Sequence, residues 1–299
     1  MKVLITGASG FIGQHRVAKL QDEGIDVIAT GRSANPRLST DFYYKLDIAE
    51  RDSLKEIVLR HKPDRIEHYA SLAIVSVSRA DPYATFRTNV LGVVNLLEAA
   101  KAADTPQTMV FTTDKYYGKL KVAAENDTPE IMDGAYETSK CCQDIIAQSY
   151  ATSGLRLKIL RSCNVFGPND KNSRIIPNTL RTLSRNESPF IFDNILGIRQ
   201  YIYIDDLMSA IDKILDKGKS LSYNIGTENL LSQKQVVESI TEVWNNYHGT
   251  NIEVSHTKGK DIHEIPRQYL DWNRLKNLGW QPNWKFEDSI DDIITTENI

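Results

Sequence analysis

The first thirteen residues constrain the fold more than any other stretch of the chain. The apolar run KVLIT at positions 2–6 predicts a buried strand, and the turn TGASGFIG follows it directly. Glycines in such a turn allow a tight reversal and a close backbone approach to a pyrophosphate, and the N–H groups of the helix behind it attract an anion. The sequence therefore predicts that a dinucleotide is held by Gly7, Gly10, Phe11, Ile12 and Gly13.

Strand-like and helical patterns alternate through the first half of the chain. Strands are predicted at 25–30, 43–47, 65–70, 107–113 and 155–162, with helices between them that include a long one over about 82–103. Such alternation implies right-handed βαβ crossovers. The predicted fold class is α/β, a Rossmann-like doubly wound parallel sheet with a smaller C-terminal α/β substrate lobe. We expect a dinucleotide-binding domain at 1–166 and a substrate-binding lobe at 167–299, partly interleaved with the first.

Composition excludes several other classes of protein. The 299 residues are 41% hydrophobic and 25% charged, which is typical of a globular protein, and the net charge of −3 provides no basic field for nucleic acid. No apolar run approaches the roughly 18 residues of a membrane span, and the N-terminus lacks the pattern of a signal peptide. Three cysteines, two of them adjacent, predict reduced thiols in a cytoplasmic protein. The histidines show no metal-ligand spacing, so no metal is expected.

The end of the second predicted strand bears on the choice of nicotinamide cofactor. An acid there would accept a hydrogen bond from the ribose 2′-hydroxyl of NAD, whereas an arginine suits the 2′-phosphate of NADP. This chain has Thr30, Gly31, Arg32 and Ser33 in that region. Arg32 therefore predicts NADP, with NAD as the alternative if Arg32 is only a surface residue or stacks on the adenine. After the third strand, Asp47 and Ile48 are placed to flank the adenine.

The segment AYETSK places Tyr136 and Lys140 four residues apart at the start of a predicted helix, on one helical face. An ammonium group near a phenol favours the phenolate and lowers a pKa that starts near about 10. A tyrosine tuned in this way can take a proton from a sugar hydroxyl while hydride leaves for a nicotinamide. The pair is informative because it lies one strand–helix unit after a threonine-rich strand end, in a chain that also has the glycine loop.

A series of motifs follows this order along the chain: TGASGFIG, HYASLA, FRTNVLGVVNLLEAA, YETSK, RSCNVFGP, IRQYIYIDDL and LGWQP. Nearly end to end, they resemble the extended short-chain dehydrogenase/reductases that act on nucleotide sugars. The resemblance implies a catalytic triad of Thr113, Tyr136 and Lys140. It also implies cofactor contacts from Ala70, Ser71 and Asn89, and substrate contacts from Asn164, Arg199 and Arg267, where guanidinium groups suit a diphosphate.

The stretch FTTDKYYG at 111–118 points to a subclass. Asp114 and Lys115 lie where 4,6-dehydratases of this family keep an acid–base pair, and the Asp-Lys combination resembles the CDP-glucose 4,6-dehydratase branch. The resemblance implies that Asp114 protonates the departing C6 oxygen and that Lys115 removes the C5 proton. The alternative is that the two residues form an ion pair at the end of a strand and do no chemistry.

The leading hypothesis is therefore a nucleotide-sugar 4,6-dehydratase with a tightly held nicotinamide cofactor. A 4-epimerase or 4-keto reductase with the same triad is the runner-up, and a non-catalytic dinucleotide-binding scaffold is the alternative from another class. The expected partner is a nucleotide-diphosphate hexose. By the same resemblance a homodimer is expected, with the helical segments near 89–103 and 136–153 paired in a four-helix interface. The first segment has more small and apolar residues than one sheet-facing stripe needs: Val93, Val94, Leu96, Leu97, Ala99 and Ala100.

Overall fold

A computed structural model of the protein describes residues 1–34, 38, 40, 42–130, 134–194, 197–258 and 265–299. The chain forms two compact units. The first comprises Met1–Gly118, Glu125–Ser162 and Ile211–Asn224, and the second comprises Lys119–Ala124, Cys163–Ala210 and Ile225–Ile299. Each unit draws segments from separate parts of the chain, and the domain boundary expected near residue 166 stays a prediction.

The strands of the described residues are β1 (Lys2–Thr6), β2 (Asp26–Gly31), β3 (Phe42–Lys45), β4 (Arg65–His68), β5 (Gln107–Thr113), β6 (Val122–Ala123), β7 (Leu157–Ser162), β8 (Asn164–Phe166), β9 (Phe190–Phe192), β10 (Ile198–Tyr203), β11 (Ser222–Ile225), β12 (Leu230–Ser232), β13 (Ser255–Thr257) and β14 (Arg267–Leu270).

The α-helices are α1 (Phe11–Asp22), α2 (Arg51–His61), α3 (Val75–Ala80), α4 (Pro82–Phe86), α5 (Gly92–Ala102), α6 (Ala135–Thr152), α7 (Ile175–Leu183), α8 (Ile204–Lys217), α9 (Gln233–His248), α10 (Asn273–Lys276) and α11 (Phe286–Glu297). A π-helical turn covers Arg87–Leu91, and a 3-10 turn covers Asp114–Tyr117. None of these helices, as far as the chain is described, is both long and apolar enough to cross a bilayer.

The first unit is built on a seven-stranded sheet with the order β11-β7-β5-β4-β1-β2-β3. Every pairing from β7 to β3 is parallel. The strand order reverses beside β1, because β2 lies on one side of it and β4 on the other. In a parallel α/β sheet, ligands bind at the carboxyl ends of the strands next to such a reversal. The predicted fold class is confirmed, and the fold places the cofactor region at the ends of β1, β2 and β4.

Apolar side chains of β1 alternate between two covered faces of this sheet. Leu4 packs with Leu54 and Leu96 on the side of α2 and α5, whereas Val3 and Ile5 pack on the side of α1. A parallel sheet buried on both faces requires such continuous apolar strands. The predicted strands therefore correspond closely to the observed ones, and β5 has the predicted bounds of 107–113.

The long helix expected over 82–103 is interrupted. Asp81 caps α4 by accepting a hydrogen bond from the Ala84 backbone N–H at 2.9 Å, and Pro82 occupies the first helical turn, where no backbone donor is needed. The helical path then passes through the π-helical turn before α5 begins at Gly92. Such a turn inserts an extra residue into the helical spacing and commonly occurs at functional sites. Asn89, which the sequence assigned to the cofactor site, lies in this turn and is fully buried.

The second unit contains a smaller mixed sheet with the order β12-β10-β14-β6. Its central strand β10 pairs in parallel with β14 and with β8, and antiparallel with β12. A separate two-stranded ribbon joins β13 and β9. Buried aromatic rings fill this unit: Trp272 and Trp280 meet edge to face with ring centroids 5.6 Å apart.

The apolar residues that were expected to form a dimer interface have a different role. Val93, Leu96, Leu97, Ala99 and Ala100 are buried within the first unit, where they pack against its own sheet. The composition of α5 is therefore explained by its intramolecular contacts, and the reason inferred from it for a homodimer is wrong. Other large apolar side chains on the neighbouring helices are exposed instead: Val75, Val77, Tyr83, Phe86, Leu91 and Ile145.

The homodimer stays a prediction, and substitution of these exposed side chains tests it. Leu91 is 47% exposed and Ile145 is 48% exposed. If this surface associates with a second copy, the wild-type protein will sediment as a dimer at micromolar concentration and Leu91→Lys will shift it toward monomer. Val122→Lys places the same charge on an exposed apolar residue of β6 and should leave the sedimentation coefficient unchanged. A wild-type monomer would contradict the prediction.

Candidate active site

The glycine loop connects β1 to α1, and its backbone leaves no room for side chains at two positions. Gly7 has a φ of +73°, and a Cβ on it would lie 2.5 Å from the backbone nitrogen of Ala70. A Cβ on Gly13 would lie 2.2 Å from the Gly7 carbonyl oxygen. Glycine is therefore required at both positions, one for conformation and close approach and the other for packing of the helix against the loop.

The loop is also held by backbone hydrogen bonds. The Ala8 N–H donates to the Thr30 carbonyl at 3.0 Å, and the Gly10 N–H donates to the Gly7 carbonyl at 2.9 Å. Gly10 is the N-cap residue of α1, and no side-chain hydrogen bond caps the helix there. The first-turn N–H groups of α1 therefore face the loop without a side-chain acceptor from the cap residue. Free N–H groups and the positive end of the helix dipole form an anion site at a helix N-terminus. The cradle suits a cofactor pyrophosphate, and binding of the pyrophosphate by this loop stays a prediction.

At the end of β2 and after β3, the predicted adenosine contacts are partly engaged elsewhere. Arg32 is exposed. Asp47 accepts hydrogen bonds from the Ala49 N–H at 3.0 Å and from Arg87 at 2.6 Å. Burial would raise the pKa of the Asp47 carboxyl, but these two donors and the charges of Arg87 and Arg32 bring that pKa below its ordinary value. Ile48 is buried under Gly92, where a Cβ would lie 2.6 Å from an Ile48 methyl carbon.

Asn89 connects the segment after β4 with α6. Its carboxamide oxygen accepts a hydrogen bond from the Leu72 N–H at 2.8 Å, and its nitrogen donates to the Leu72 carbonyl at 3.0 Å. The same nitrogen donates to the Ser139 hydroxyl at 2.9 Å, and that hydroxyl donates to the Tyr136 carbonyl at 2.8 Å. The structure thus links the predicted cofactor segment that contains Ala70 and Ser71 to the helix that carries Tyr136 and Lys140.

Lys140 is buried on α6. Its ammonium nitrogen donates to the Phe111 carbonyl at 3.3 Å and to the carboxamide oxygen of Gln143. Burial lowers the pKa of Lys140 to about 7, although the negative charge of Asp144 opposes the shift. A lysine with a pKa near neutrality can change its charge during a reaction, and such perturbed groups concentrate at functional sites.

Two neighbours of Lys140 extend this polar cluster. His68 lies at the end of β4 and is fully buried, and burial together with the Lys140 charge lowers its pKa to about 3. Its Nδ1 is 2.7 Å from the Thr6 hydroxyl, and its Nε2 is 2.8 Å from the Gln143 carboxamide nitrogen. Sequence reasoning missed Gln143. The available signal was its position three residues after Lys140, on the same helical face.

A bidentate ion pair holds α6 against β7. Arg161 donates from Nε and from one terminal nitrogen to the two carboxylate oxygens of Asp144, both at 2.8 Å. The guanidinium also lies 3.8 Å from the Tyr116 ring centroid and donates to the Tyr117 hydroxyl at 2.7 Å. Both charged groups are buried and paired, which is the condition under which buried charges are tolerated. The pair fixes α6, the helix on which Tyr136 lies one turn before Lys140.

Thr113, Asp114 and Lys115 lie where β5 ends and the 3-10 turn begins. The Thr113 hydroxyl donates to one carboxylate oxygen of Asp114 at 2.8 Å. The Lys115 ammonium lies 3.3 Å from the same oxygen and 3.4 Å from the other. Asp114 is buried, and the Lys115 side chain is 18% exposed. The structure therefore contains an Asp114–Lys115 ion pair beside the threonine of the predicted triad.

The three residues predicted to bind substrate occur on neighbouring strands of the second unit. Asn164 begins β8 and donates to the Gln200 carbonyl at 2.9 Å. Arg199 on β10 donates to the carbonyl groups of Ile198 and Ile265 at 2.9 and 2.7 Å. Arg267 begins β14 and pairs with Ile198 in the β10–β14 register. The small sheet thus brings all three side chains onto adjacent strands, with Arg267 exposed.

A parallel sheet with a glycine loop after β1 and a Tyr–Lys helix, α6, between β5 and β7 defines a nicotinamide-dependent short-chain dehydrogenase/reductase of the extended kind. The family model described as "NAD dependent epimerase/dehydratase family" matches residues 3–226. The chain belongs to this family, as the sequence motifs predicted.

Relatives with different activities resemble the chain over its whole length. It is 29% identical to the low-salt glycan biosynthesis protein Agl12 of Haloferax volcanii, with 98% of this chain and 97% of that protein covered. It is 27% identical to a UDP-glucose 4-epimerase of Lactobacillus helveticus, with coverage of 99% and 96%. The crystal structure of DesIV, a dTDP-glucose 4,6-dehydratase from Streptomyces venezuelae with NAD and TYD bound, gives a TM-score of 0.85 at 25% identity, with coverage of 100% and 97%.

The close approach of Gly7 to Ala70 can be tested against a matched glycine. Gly24 has a φ of +72°, like Gly7, but no atom lies within 4 Å of a Cβ built on it. Gly24→Ala should cost only the left-handed backbone penalty of about 1–2 kcal/mol in the free energy of unfolding. Gly7→Ala should add a steric clash and weaken dinucleotide binding by about tenfold or more, which corresponds to roughly 1.4 kcal/mol. Urea unfolding and calorimetric titration with NAD would measure both effects, and equal binding by the two variants would contradict the cradle.

Proposed function

We propose that this protein is a nucleotide-sugar 4,6-dehydratase, converting a nucleotide-diphosphate hexose to the 4-keto-6-deoxy sugar with a retained nicotinamide cofactor. The observation that carries the proposal is the ion pair of the buried Asp114 with the half-buried Lys115, directly after Thr113. The resemblance to a dTDP-glucose 4,6-dehydratase supports it. Elimination of water from a sugar requires an acid and a base in addition to the groups that oxidise C4, and this pair supplies both.

The first step uses α6. Tyr136 takes the proton of the C4 hydroxyl, and the Lys140 ammonium group stabilises the phenolate by its charge. Thr113 donates a hydrogen bond to the reacting C4 oxygen. The nicotinamide, when bound, accepts hydride from C4 and returns it to C6, so the overall reaction needs no external oxidant. Oxidation at C4 acidifies the C5 proton, because the resulting carbanion is delocalised onto the ketone.

The elimination step depends on which member of the Asp114–Lys115 ion pair carries the proton. With Asp114 ionised and Lys115 protonated, neither is ready to act. Transfer of one proton across their 3.3 Å contact gives a carboxylic acid and a neutral amine. Lys115 then takes the C5 proton while Asp114 protonates the leaving C6 oxygen, which departs as water. When hydride adds to C6, Lys115 returns its proton to C5. The proton that Tyr136 took from the C4 hydroxyl then passes to the pair and restores it, so no outside proton is needed.

A 4-epimerase is the second candidate, and a specific observation favours it. Asp114 and Lys115 are already paired, as a structural ion pair at a strand end would be, and a UDP-glucose 4-epimerase is among the relatives that cover the whole chain. A 4-keto reductase would use the same triad. A non-catalytic scaffold is disfavoured because a buried lysine with a pKa near 7 destabilises a fold that has no use for it.

The direct test is incubation with CDP-, UDP-, dTDP- and GDP-hexoses followed by mass analysis. The proposal expects loss of one water from one of these sugars. Tyr136→Phe should reduce turnover by about 10²–10⁴-fold, the usual contribution of a general acid–base group, while cofactor binding stays within a few-fold. An isomer of equal mass would support the epimerase instead, two added hydrogens would support a reductase, and no product with any sugar would support the scaffold.

The elimination pair is tested by Asp114→Asn and Lys115→Met. An amide cannot protonate the C6 oxygen and a thioether cannot take the C5 proton, so both variants should oxidise C4 and then stop. Reduced nicotinamide should therefore accumulate on the enzyme as a stable absorbance band, whereas wild type shows it only transiently. Lys121→Met removes an exposed lysine of the second unit and serves as the control. Wild-type rates of isomer or reduced sugar in both variants would show that the pair is structural.

For the cofactor, we propose NAD, with NADP as the alternative that Arg32 suggested. The DesIV structure contains NAD, which supports the choice.

Comparing NAD and NADP affinities of wild type and Arg32→Ala separates the two cofactors. If NAD is the cofactor, wild type binds it more tightly than NADP, and Arg32→Ala changes the NAD affinity by less than about threefold. Arg60→Ala, on the exposed face of α2, is the matched control. If Arg32 instead binds a 2′-phosphate, Arg32→Ala should weaken NADP alone by about tenfold or more, since it loses a charge-assisted hydrogen bond.

A further inference from the structure

The Gln143 carboxamide lies between two groups, one paired with its oxygen and the other with its nitrogen. Its oxygen accepts a hydrogen bond from the Lys140 ammonium, and its nitrogen is 2.8 Å from Nε2 of His68. Gln143 is fully buried, so neither end of the amide has water as a substitute partner. A buried amide is costly unless both of its ends are paired, and here they are.

The hydrogen-bond directions follow from the lysine. An ammonium group can only donate, so it must face the Gln143 oxygen, and the Gln143 nitrogen must therefore face His68. Nε2 of His68 then accepts, which places the single proton of the neutral ring on Nδ1. That proton is donated to the Thr6 hydroxyl at 2.7 Å. The Lys140 ammonium, which can only donate, thus sets the direction of each hydrogen bond from Gln143 through His68 to Thr6, the residue before Gly7.

We propose that Gln143 is a positioning residue for Lys140, and that its carboxamide is locked in the accepting orientation by the Nδ1-protonated form of His68. The proposal rests on the catalytic role proposed for Lys140. Without the lock, the amide could rotate and present its nitrogen to the ammonium, which would disfavour the charged lysine. With it, the ammonium is held between the Phe111 carbonyl and Gln143, at a fixed place on α6 relative to Tyr136.

The expected effect on Lys140 depends on every charged group around it. Asp144 on α6 favours the ammonium, but its carboxylate is shared with Arg161 of β7. His68 on β4 is neutral. The 3-10 turn that packs against α6 carries Asp114 and Lys115, whose charges offset each other. Burial therefore dominates the pKa of Lys140, and the Gln143 oxygen is a buried acceptor in direct contact with the charged form.

The test is the titration of Lys140 in the full-length protein labelled with [ε-13C]lysine. The Lys140 signal is identified by its disappearance in Lys140→Arg. Gln143→Leu removes the acceptor and should move the Lys140 midpoint to lower pH by about one unit or more, because a hydrogen bond to a charged group is lost. Gln143→Glu keeps an acceptor and adds a negative charge, so it should move the midpoint to higher pH by about one unit or more. Gln107→Leu, which removes a glutamine hydrogen bond to Leu215 elsewhere in the first unit, should leave it unchanged.

Shifts in opposite directions for the two Gln143 variants support the proposal, because a role in packing alone would not move the titration with the sign of the substituted charge. An unchanged midpoint in both folded variants overturns it, and so does a shift of equal sign and size. If Gln143→Leu fails to fold, Gln143→Glu still decides, since it keeps the length and polarity of the side chain. This outcome is independent of the proposed reaction, which fails when wild type converts none of the nucleotide sugars.

Once a substrate is found, turnover gives a second readout. Gln143→Leu should lower kcat by about tenfold or more with a smaller change in KM, because it displaces a group that acts on Tyr136 and not one that binds the sugar. Gln143→Glu should recover part of that loss by restoring a charged Lys140. A change confined to KM in both variants would contradict a positioning role.

Discussion

The approach of the Gly7 backbone to Ala70 is the constraint on which the rest of the first unit depends. There is no space for a Cβ between them, so the loop after β1 and the segment after β4 can be neighbours only if residue 7 is glycine. The segment after β4 is then tied by Asn89 to Leu72 and to Ser139. A steric requirement at the cofactor loop is thereby transmitted through a few directional hydrogen bonds to the start of α6, where Tyr136 lies.

The burial of Lys140 has a cost that the surrounding structure must offset. A lysine moved out of water loses its charge readily, and here burial lowers its pKa to about 7. The Phe111 carbonyl, Gln143 and the nearby Asp144 partly compensate for the lost hydration. The Lys140 ammonium is therefore present near neutral pH but loses its proton readily. Its charge can then respond to the charge on a nearby phenol.

The sequence predicted the parts of this structure that depend on local patterns. Continuous apolar runs identified the strands, with β5 at its observed bounds, and the spacing of glycines identified the cradle. What it missed depends on contacts between distant residues. The ion pair of Asp47 with Arg87 joins positions 40 residues apart, and the bond between His68 and Gln143 joins positions 75 apart. The composition of α5 was read as a surface between subunits because amphipathicity alone does not say which of two partners covers a helix.

The step from family to reaction depends on two residues, since the glycine cradle and the Tyr–Lys helix are equally suited to epimerisation, reduction and dehydration. Asp114 and Lys115 distinguish these reactions because the reactions require different numbers of proton transfers. Epimerisation returns hydride to the carbon it left, and Tyr136 alone can take and give back the hydroxyl proton. Dehydration also takes a proton off C5, adds one to the C6 oxygen and returns one to C5 when hydride adds to C6. The contact between Asp114 and Lys115 brings together an acid and a base for these transfers. A structural ion pair at this place needs no change of charge, whereas a working pair must pass through the form that has its proton on Asp114.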